Sequence, residues 1–102
     1  MGKMVRVAAG SELTPGQGKT VVANGREIAL FNVGGTFHAI ANACCHRGGP
    51  LGEGELEGTA VTCPWHGWQF DVRTGATLRD SEVGVPAYRV EVQGGDVYVE
   101  LP

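Results

Sequence analysis

The sequence predicts an all-β protein built from antiparallel strands. Three features carry this reading. Segments of four to seven residues alternate apolar and polar side chains, the period of a half-buried strand. Turn-forming pairs separate them at roughly the 8–12-residue spacing of sandwiches and barrels. Apolar spacing of three and four residues, the mark of an amphipathic helix, is hard to find.

In chain order, Met4–Ala8 (MVRVA) reads as the first strand, and Gly10–Gly18 (GSELTPGQG) as a loop of turn formers. Lys19–Val22, Glu27–Val33 (EIALFNV) and Thr36–Ala41 (TFHAIA) are three further strands. Asn24-Gly25 and Gly34-Gly35 join them as two-residue hairpin turns, because these residues accept the positive φ such turns need. Thr59–Thr62 and Trp68–Val72 form another pair, interrupted by a cysteine motif, with Arg73-Thr74-Gly75 expected to turn it. Tyr88–Val92 and Asp96–Leu101 close the chain around Gly94-Gly95.

A chain of 102 residues is expected to form a single domain, residues 1–102. Such a chain buries a modest core, so a metal or disulfide staple would help it fold. Eight basic against eleven acidic residues leave a net charge of −3, without the basic footprint of a nucleic-acid binder. The first residues, MGKMVRVAAGSELTPG, show no signal-like apolar stretch, and no run approaches the ~18 apolar residues of a membrane helix. The expectation is a cytoplasmic protein that binds neither nucleic acid nor membrane. Three cysteines in that compartment, an odd number, favour metal or redox chemistry over a disulfide framework.

Two motifs break the β pattern: CCHRGGPL, from Cys44, and CPWHGWQFD, from Cys63. They contain Cys44-x-His46 and Cys63-x-x-His66, separated by the 16 residues Arg47 to Thr62. Each pair can grip one site from a single loop. Thiolate with imidazole leaves zinc and iron–sulfur centres as candidates. Cys44-x-His46 is tighter than the usual spacing of paired zinc ligands. Gly48, Gly49 and Gly67 let backbone N–H groups approach an anionic group, and a cluster's bridging sulfides would accept such bonds where a bare zinc offers only thiolates. Pro50 and Pro64 stiffen the two loops.

With Arg47-Gly48-Gly49-Pro50-Leu51 after the first pair, and Gly67, Phe70, Thr74-Gly75 and Val85-Pro86 beyond the second, the chain closely resembles the Rieske ferredoxins. The resemblance runs from the Leu13–Gly16 turn to Leu101. It implies a Rieske-like fold of three stacked antiparallel sheets, with a small cluster-binding subdomain inserted at about residues 43–70. It implies one 2Fe–2S cluster per chain, with Cys44 and Cys63 on the inner iron and His46 and His66 on the outer iron, which takes the electron. Replacing two thiolates by imidazoles removes two negative charges and favours the reduced state; such centres lie at roughly −150 to +300 mV. High-potential relatives carry hydroxyl residues where this chain has Trp68 and Phe70, and a cysteine pair where it has Gly49 and Trp65. The expectation is therefore a potential at the low end, falling with alkaline pH as the imidazoles of the oxidised centre lose protons.

The resemblance further implies a one-electron carrier, passing electrons from a flavin-dependent reductase to a terminal oxygenase of an aromatic-ring dioxygenase system. The chain is not itself expected to be an enzyme. Once the cluster ligands are assigned only His38 remains for a 2-His-1-carboxylate iron site, and GxGxxG is absent. Competing readings are a small Rieske-like subunit of a reductase such as nitrite reductase, a structural zinc module, and a thiol sensor using Cys44-Cys45. Relatives of the first kind frequently lack the metal ligands, all four of which are present here. Elsewhere, Cys45 is expected to be an inert packed thiol and His38 a surface residue facing away from Phe37 and Ala39. Trp65 and Trp68 bracket His66, either shielding a cluster and shaping a docking surface or packing the loop. Glu53, Glu55 and Glu57 read as a solvated edge, or more sharply as a steering patch for a basic partner.

Overall fold

The computed structural model describes residues 2–44, 48–65 and 67–101. Ten strands form three antiparallel sheets. The first contains β1 (Lys3–Ala9), β10 (Asp96–Leu101) and β9 (Val90–Gln93), in the order β1-β10-β9. The second, β2-β3-β4-β8, contains Gly18–Ala23, Arg26–Val33, Thr36–Ala41 and Ala87–Tyr88. The third, β5-β6-β7, contains Glu55–Glu57, Ala60–Thr62 and Gln69–Asp71, and is inserted in sequence between β4 and β8.

The hairpin residues sit where their chemistry places them. Asn24 and Gly25 take φ of 49° and 78°, the doubly positive pattern of a primed turn, and β2 pairs with β3 in the register Ala23 to Arg26.

The middle sheet is covered on both faces, which explains why β3 reads as a nearly unbroken apolar run. Ile28 and Leu30 face a core shared with Ala8, Val21, Ala39, Val97, Val99 and Leu101 of the neighbouring strands. Ala29 and Phe31 point to the opposite side, into a second core with Ile40, Val61 and Phe70. Successive strand side chains alternate faces, so a strand buried on both sides must be apolar at every position. The outer strand β10 shows the contrasting case: Val97, Val99 and Leu101 are buried while their neighbours point outward.

Three details differ from the sequence reading. Glu55–Glu57 is a strand, with only Leu56 turned inward. β6 and β7 pair and the Arg73-Thr74-Gly75 turn forms as expected, but a further return follows it that the sequence reading did not include. The amide of Gly75 donates to the carbonyl of Asp71 at 2.7 Å, and the chain folds back so that Asp71 N–H meets Ala76 O and Phe70 bridges to Thr77. The segment 88–92 is divided between two sheets, Tyr88 pairing with Ala39 of β4 and Val90 with Val99 of β10. Arg89 at the crossing donates no ladder bond; its carbonyl accepts from Glu100 N–H.

Candidate metal centre

Two fingers project from the second core, and both use one backbone device. Where β4 ends, Ala43 bridges to Pro50, Cys44 N–H donates to Gly49 O at 2.9 Å, and Gly48 N–H donates to Cys44 O at 2.7 Å. In the second finger Cys63 N–H donates to Trp68 O at 2.8 Å and Gly67 N–H to Cys63 O at 3.0 Å. In each case a cysteine at the foot bonds to the fourth and fifth residues after it. That fourth residue is a glycine at φ 72° (Gly48) or 78° (Gly67), left-handed backbone that a side chain would strain.

Cys44 and Cys63 are 3% and 1% exposed, are not joined as a disulfide, and belong to one apolar cluster with Leu51, Val61, Phe70 and Val72. The fingers lean on each other. A Cβ placed on Gly49 would lie 2.7 Å from Cys63 Sγ and 3.1 Å from the Trp65 ring. Gly49 and Trp65, the two positions compared above with a cysteine pair, are therefore in direct apposition, and only a residue without a side chain fits between them. His46 and His66 lie outside the described residues, as do Cys45 and Arg47. Among the described residues no group of three His, Cys, Asp or Glu side chains converges.

This donor set suits a thiophilic iron centre. Two buried thiols in an apolar pocket offer soft, dehydrated sulfur, and they reach it from two separate loops, each with a histidine two or three residues further on. Glu53 and Glu55, the carboxylates that share a groove with Cys63, are exposed.

Asn42 fastens the first finger to the body of the protein, and nothing in the sequence pattern announces it. Its carbonyl oxygen Oδ1 accepts from Gly52 N–H at 2.7 Å and from Thr20 Oγ1 at 3.1 Å, and its backbone carbonyl accepts from Leu51 N–H at 2.8 Å. The two strands of the finger and β2 thus meet at one buried amide. Gly52 is forced by the same contact, since a Cβ there would approach Thr20 backbone and hydroxyl to about 2.5–2.6 Å.

The two tryptophans divide the roles considered for them. Trp65 is 62% exposed at the tip of the second finger. Trp68 packs against the second core, with the Arg79 guanidinium 4.9 Å above its ring. Phe70 is fully buried, so neither it nor Trp68 brings a hydroxyl to the centre. His38 is half-buried, within the range expected of a surface histidine. It lies opposite Phe37 and Ala39, which join the first core. Burial is the main cause that holds its imidazole below the ordinary 6.5; Arg73 adds to the effect and Asp71 opposes it.

A family model described as "Rieske [2Fe-2S] domain" matches residues 3–89. The 3-phenylpropionate/cinnamic acid dioxygenase ferredoxin subunit of Escherichia coli O139:H28 is 44% identical over 77 residues, 74% of this chain and 73% of that protein. Among solved structures, the ferredoxin of carbazole 1,9a-dioxygenase from Nocardioides aromaticivorans IC177 superposes with a TM-score of 0.88 at 34% identity, covering 95% of this chain and 96% of that one. A chain of the complex of reduced oxygenase and oxidized ferredoxin in carbazole 1,9a-dioxygenase matches at 0.86 and 36% identity, over 94% and 91%. A nitrite reductase small subunit from Mycobacterium tuberculosis, described as NADH-dependent, matches at 0.91 and 27%, over 100% and 97%.

Proposed function

Because the chain belongs to the Rieske 2Fe–2S family, we propose that it carries single electrons to the terminal oxygenase of a dioxygenase system. It holds one 2Fe–2S cluster and is an electron-transfer component, not itself a catalyst. When bound, the cluster takes up and releases one electron. We assign Cys44, His46, Cys63 and His66 as its ligands, on one domain comprising residues 1–102 with a cluster-binding part at about residues 43–70. The observation that carries this assignment is the pair of matching fingers, each burying a cysteine side chain at its foot in the same apolar cluster.

The chain's own residues do the rest. Leu51, Val61, Phe70 and Val72 keep water from the sulfur side. The two imidazoles, neutral where further thiolates would each bring a charge, make the centre easier to reduce than an all-cysteine one. Hydrogen bonds to sulfur raise such potentials. Side-chain hydroxyls are absent at Trp68 and Phe70, and the Gly49–Trp65 apposition stands where a disulfide would tie the fingers. Both features support a potential at the low end of the Rieske range.

The solved oxygenase–ferredoxin complex supports the oxygenase as acceptor. A flavin-dependent reductase in the cytoplasm is the donor we propose. No helix among the described residues is long and apolar enough to cross a membrane. The match to a nitrite reductase small subunit favours a second reading, in which the same carrier serves a reductase. Reconstitution separates the two: reduced protein should support oxygenase turnover and leave nitrite reduction unchanged. Protein purified without air should contain two irons and two labile sulfides per chain, and show an electron paramagnetic resonance signal on reduction. Absence of both elements would sink the proposal.

A further inference from the structure

Beside the second finger lies a shallow groove of about 460 Å³ with an uneven wall chemistry. Its lining brings together Glu53 and Glu55, the exposed indole of Trp65 and the buried Cys63. Four carboxylates elsewhere are ion-paired, Glu12 with Lys19, Asp71 with Arg73, Glu91 with Arg89 and Asp96 with Arg6, at 2.7–3.1 Å, while Glu27, Asp80, Glu82 and Glu100 form no ion pair among the described residues. Glu53, Glu55 and Glu57 have no such partner among the described residues, although they follow one another along an edge strand and the turn before it. Three unpaired like charges repel one another, and a cation brought among them removes that cost.

We infer that this groove seats basic side chains from the surface of a partner protein, held by Glu53 and Glu55 and packed on Trp65. An indole face attracts a lysine or arginine head while its methylene stem covers apolar surface. The charges flank a ligand cysteine of the proposed cluster, so a partner steered by them would arrive at the redox centre. The inference rests on the electron-carrier reading and adds the charge type of the partner and the residues that meet it.

The test uses the intact holoprotein, reduced with dithionite and mixed in a stopped-flow instrument with ferricytochrome c, a basic one-electron acceptor. One electron leaves the cluster and one haem iron is reduced. Ferricyanide, an anionic acceptor, is the reference oxidant. At low ionic strength the Glu53→Gln/Glu55→Gln double variant should react with cytochrome c about tenfold more slowly than wild type, and its salt dependence should flatten. Glu57→Gln, outside the groove, should change the rate less than about twofold. Trp65→Ala should slow the reaction even at high salt. Rates of the two glutamate variants with ferricyanide should not fall.

Wild-type rates with cytochrome c in the double variant would overturn the inference. So would an equal slowing with both oxidants, which would mean that the centre itself had changed. Magnesium chloride inhibiting far more than sodium chloride at equal ionic strength would instead mark a metal-ion site. If the carrier reading itself failed, the protein would lack iron–sulfur absorbance and would react with neither oxidant, an outcome distinct from all of these.

Discussion

Asn42→Ala is expected to loosen the first finger out of proportion to the three atoms it removes. The wild-type Oδ1 accepts two hydrogen bonds. One donor, Gly52 N–H, is backbone on a buried residue and has no route to water, so losing its acceptor carries a desolvation cost of about 1–3 kcal/mol. The other, Thr20 Oγ1, belongs to a half-buried side chain that can turn to solvent, and its loss adds about 0.5–1 kcal/mol. Together these come to roughly 1.5–4 kcal/mol, concentrated two residues from Cys44. Proteins with tightly bound cofactors seldom unfold reversibly, so the useful readout is a rate. If finger opening limits cluster release, about 2.8 kcal/mol corresponds to a hundredfold faster bleaching of the visible bands in mild urea. Thr20→Val removes only the weaker bond and should accelerate bleaching less than about tenfold. Asn42→Asp keeps both acceptor positions and should restore part of the wild-type lifetime. Equal bleaching rates for Asn42→Ala and Thr20→Val would refute the reasoning, because the buried Gly52 amide would then carry no cost.

Three further outcomes can be checked directly. Gly49→Ala drives a methyl within 2.7 Å of Cys63 Sγ, and should cost about 1–3 kcal/mol, seen as weaker retention of iron in wild-type-like buffer; Trp65→Ala in the same chain removes only the second clash and should not restore it. Film voltammetry should place the midpoint below about 0 mV, in the lower part of the Rieske range; a clearly positive value would contradict the reading of Trp68, Phe70 and the Gly49–Trp65 contact. The folded protein holds the His38 imidazole below its ordinary 6.5, so folding favours the neutral ring. Stability should decline as pH falls from 6.5 towards the depressed folded value, so bleaching in urea should be faster at pH 5.5 than at pH 8, and His38→Gln should abolish that part of the difference.

Most of the fold was legible because strand alternation and primed-turn residues act locally. Asn24-Gly25 and Gly34-Gly35 force a reversal wherever they occur, and β2, β3 and β4 followed from them. Elements whose existence depends on distant partners were not legible. β5 offers one inward side chain, Leu56, between two glutamates, so its pairing with β6 is visible only once β6 has been placed. The crossing at Arg89 likewise depends on which sheet each neighbour reaches. How far His38 is covered was not legible, because the groups near it, Asp71 and Arg73, arrive from a strand about thirty positions later. For the centre, spacing picked out Cys44, His46, Cys63 and His66 as candidates; the structure describes only the two cysteines, both buried at the feet of the fingers. Asn42 was invisible, since its role depends on Thr20 and Gly52 meeting it in space.

The likeness between the two fingers was also hidden, and its cause is chemical. Aligned from their cysteines, the segments are Cys44-Cys45-His46-Arg47-Gly48-Gly49 and Cys63-Pro64-Trp65-His66-Gly67-Trp68. The backbone bonds of the first and fifth positions coincide, yet the histidines stand at the third position in one and the fourth in the other. A search for equal ligand spacing therefore misses the repeat, because the hydrogen-bonded turn sets the conserved offset and the donors do not. The mismatch places Trp65 at the position that His46 holds in the first finger, and Gly49 opposite the position of Trp68. Those are the residues through which the fingers touch: Trp65 fills the space over Gly49, and Gly49 leaves room for Cys63 Sγ. Two copies of one turn with the same side chains would place bulk against bulk. The differences at the third and sixth positions let the copies close on each other, and so bring Cys44 and Cys63 into one apolar cluster.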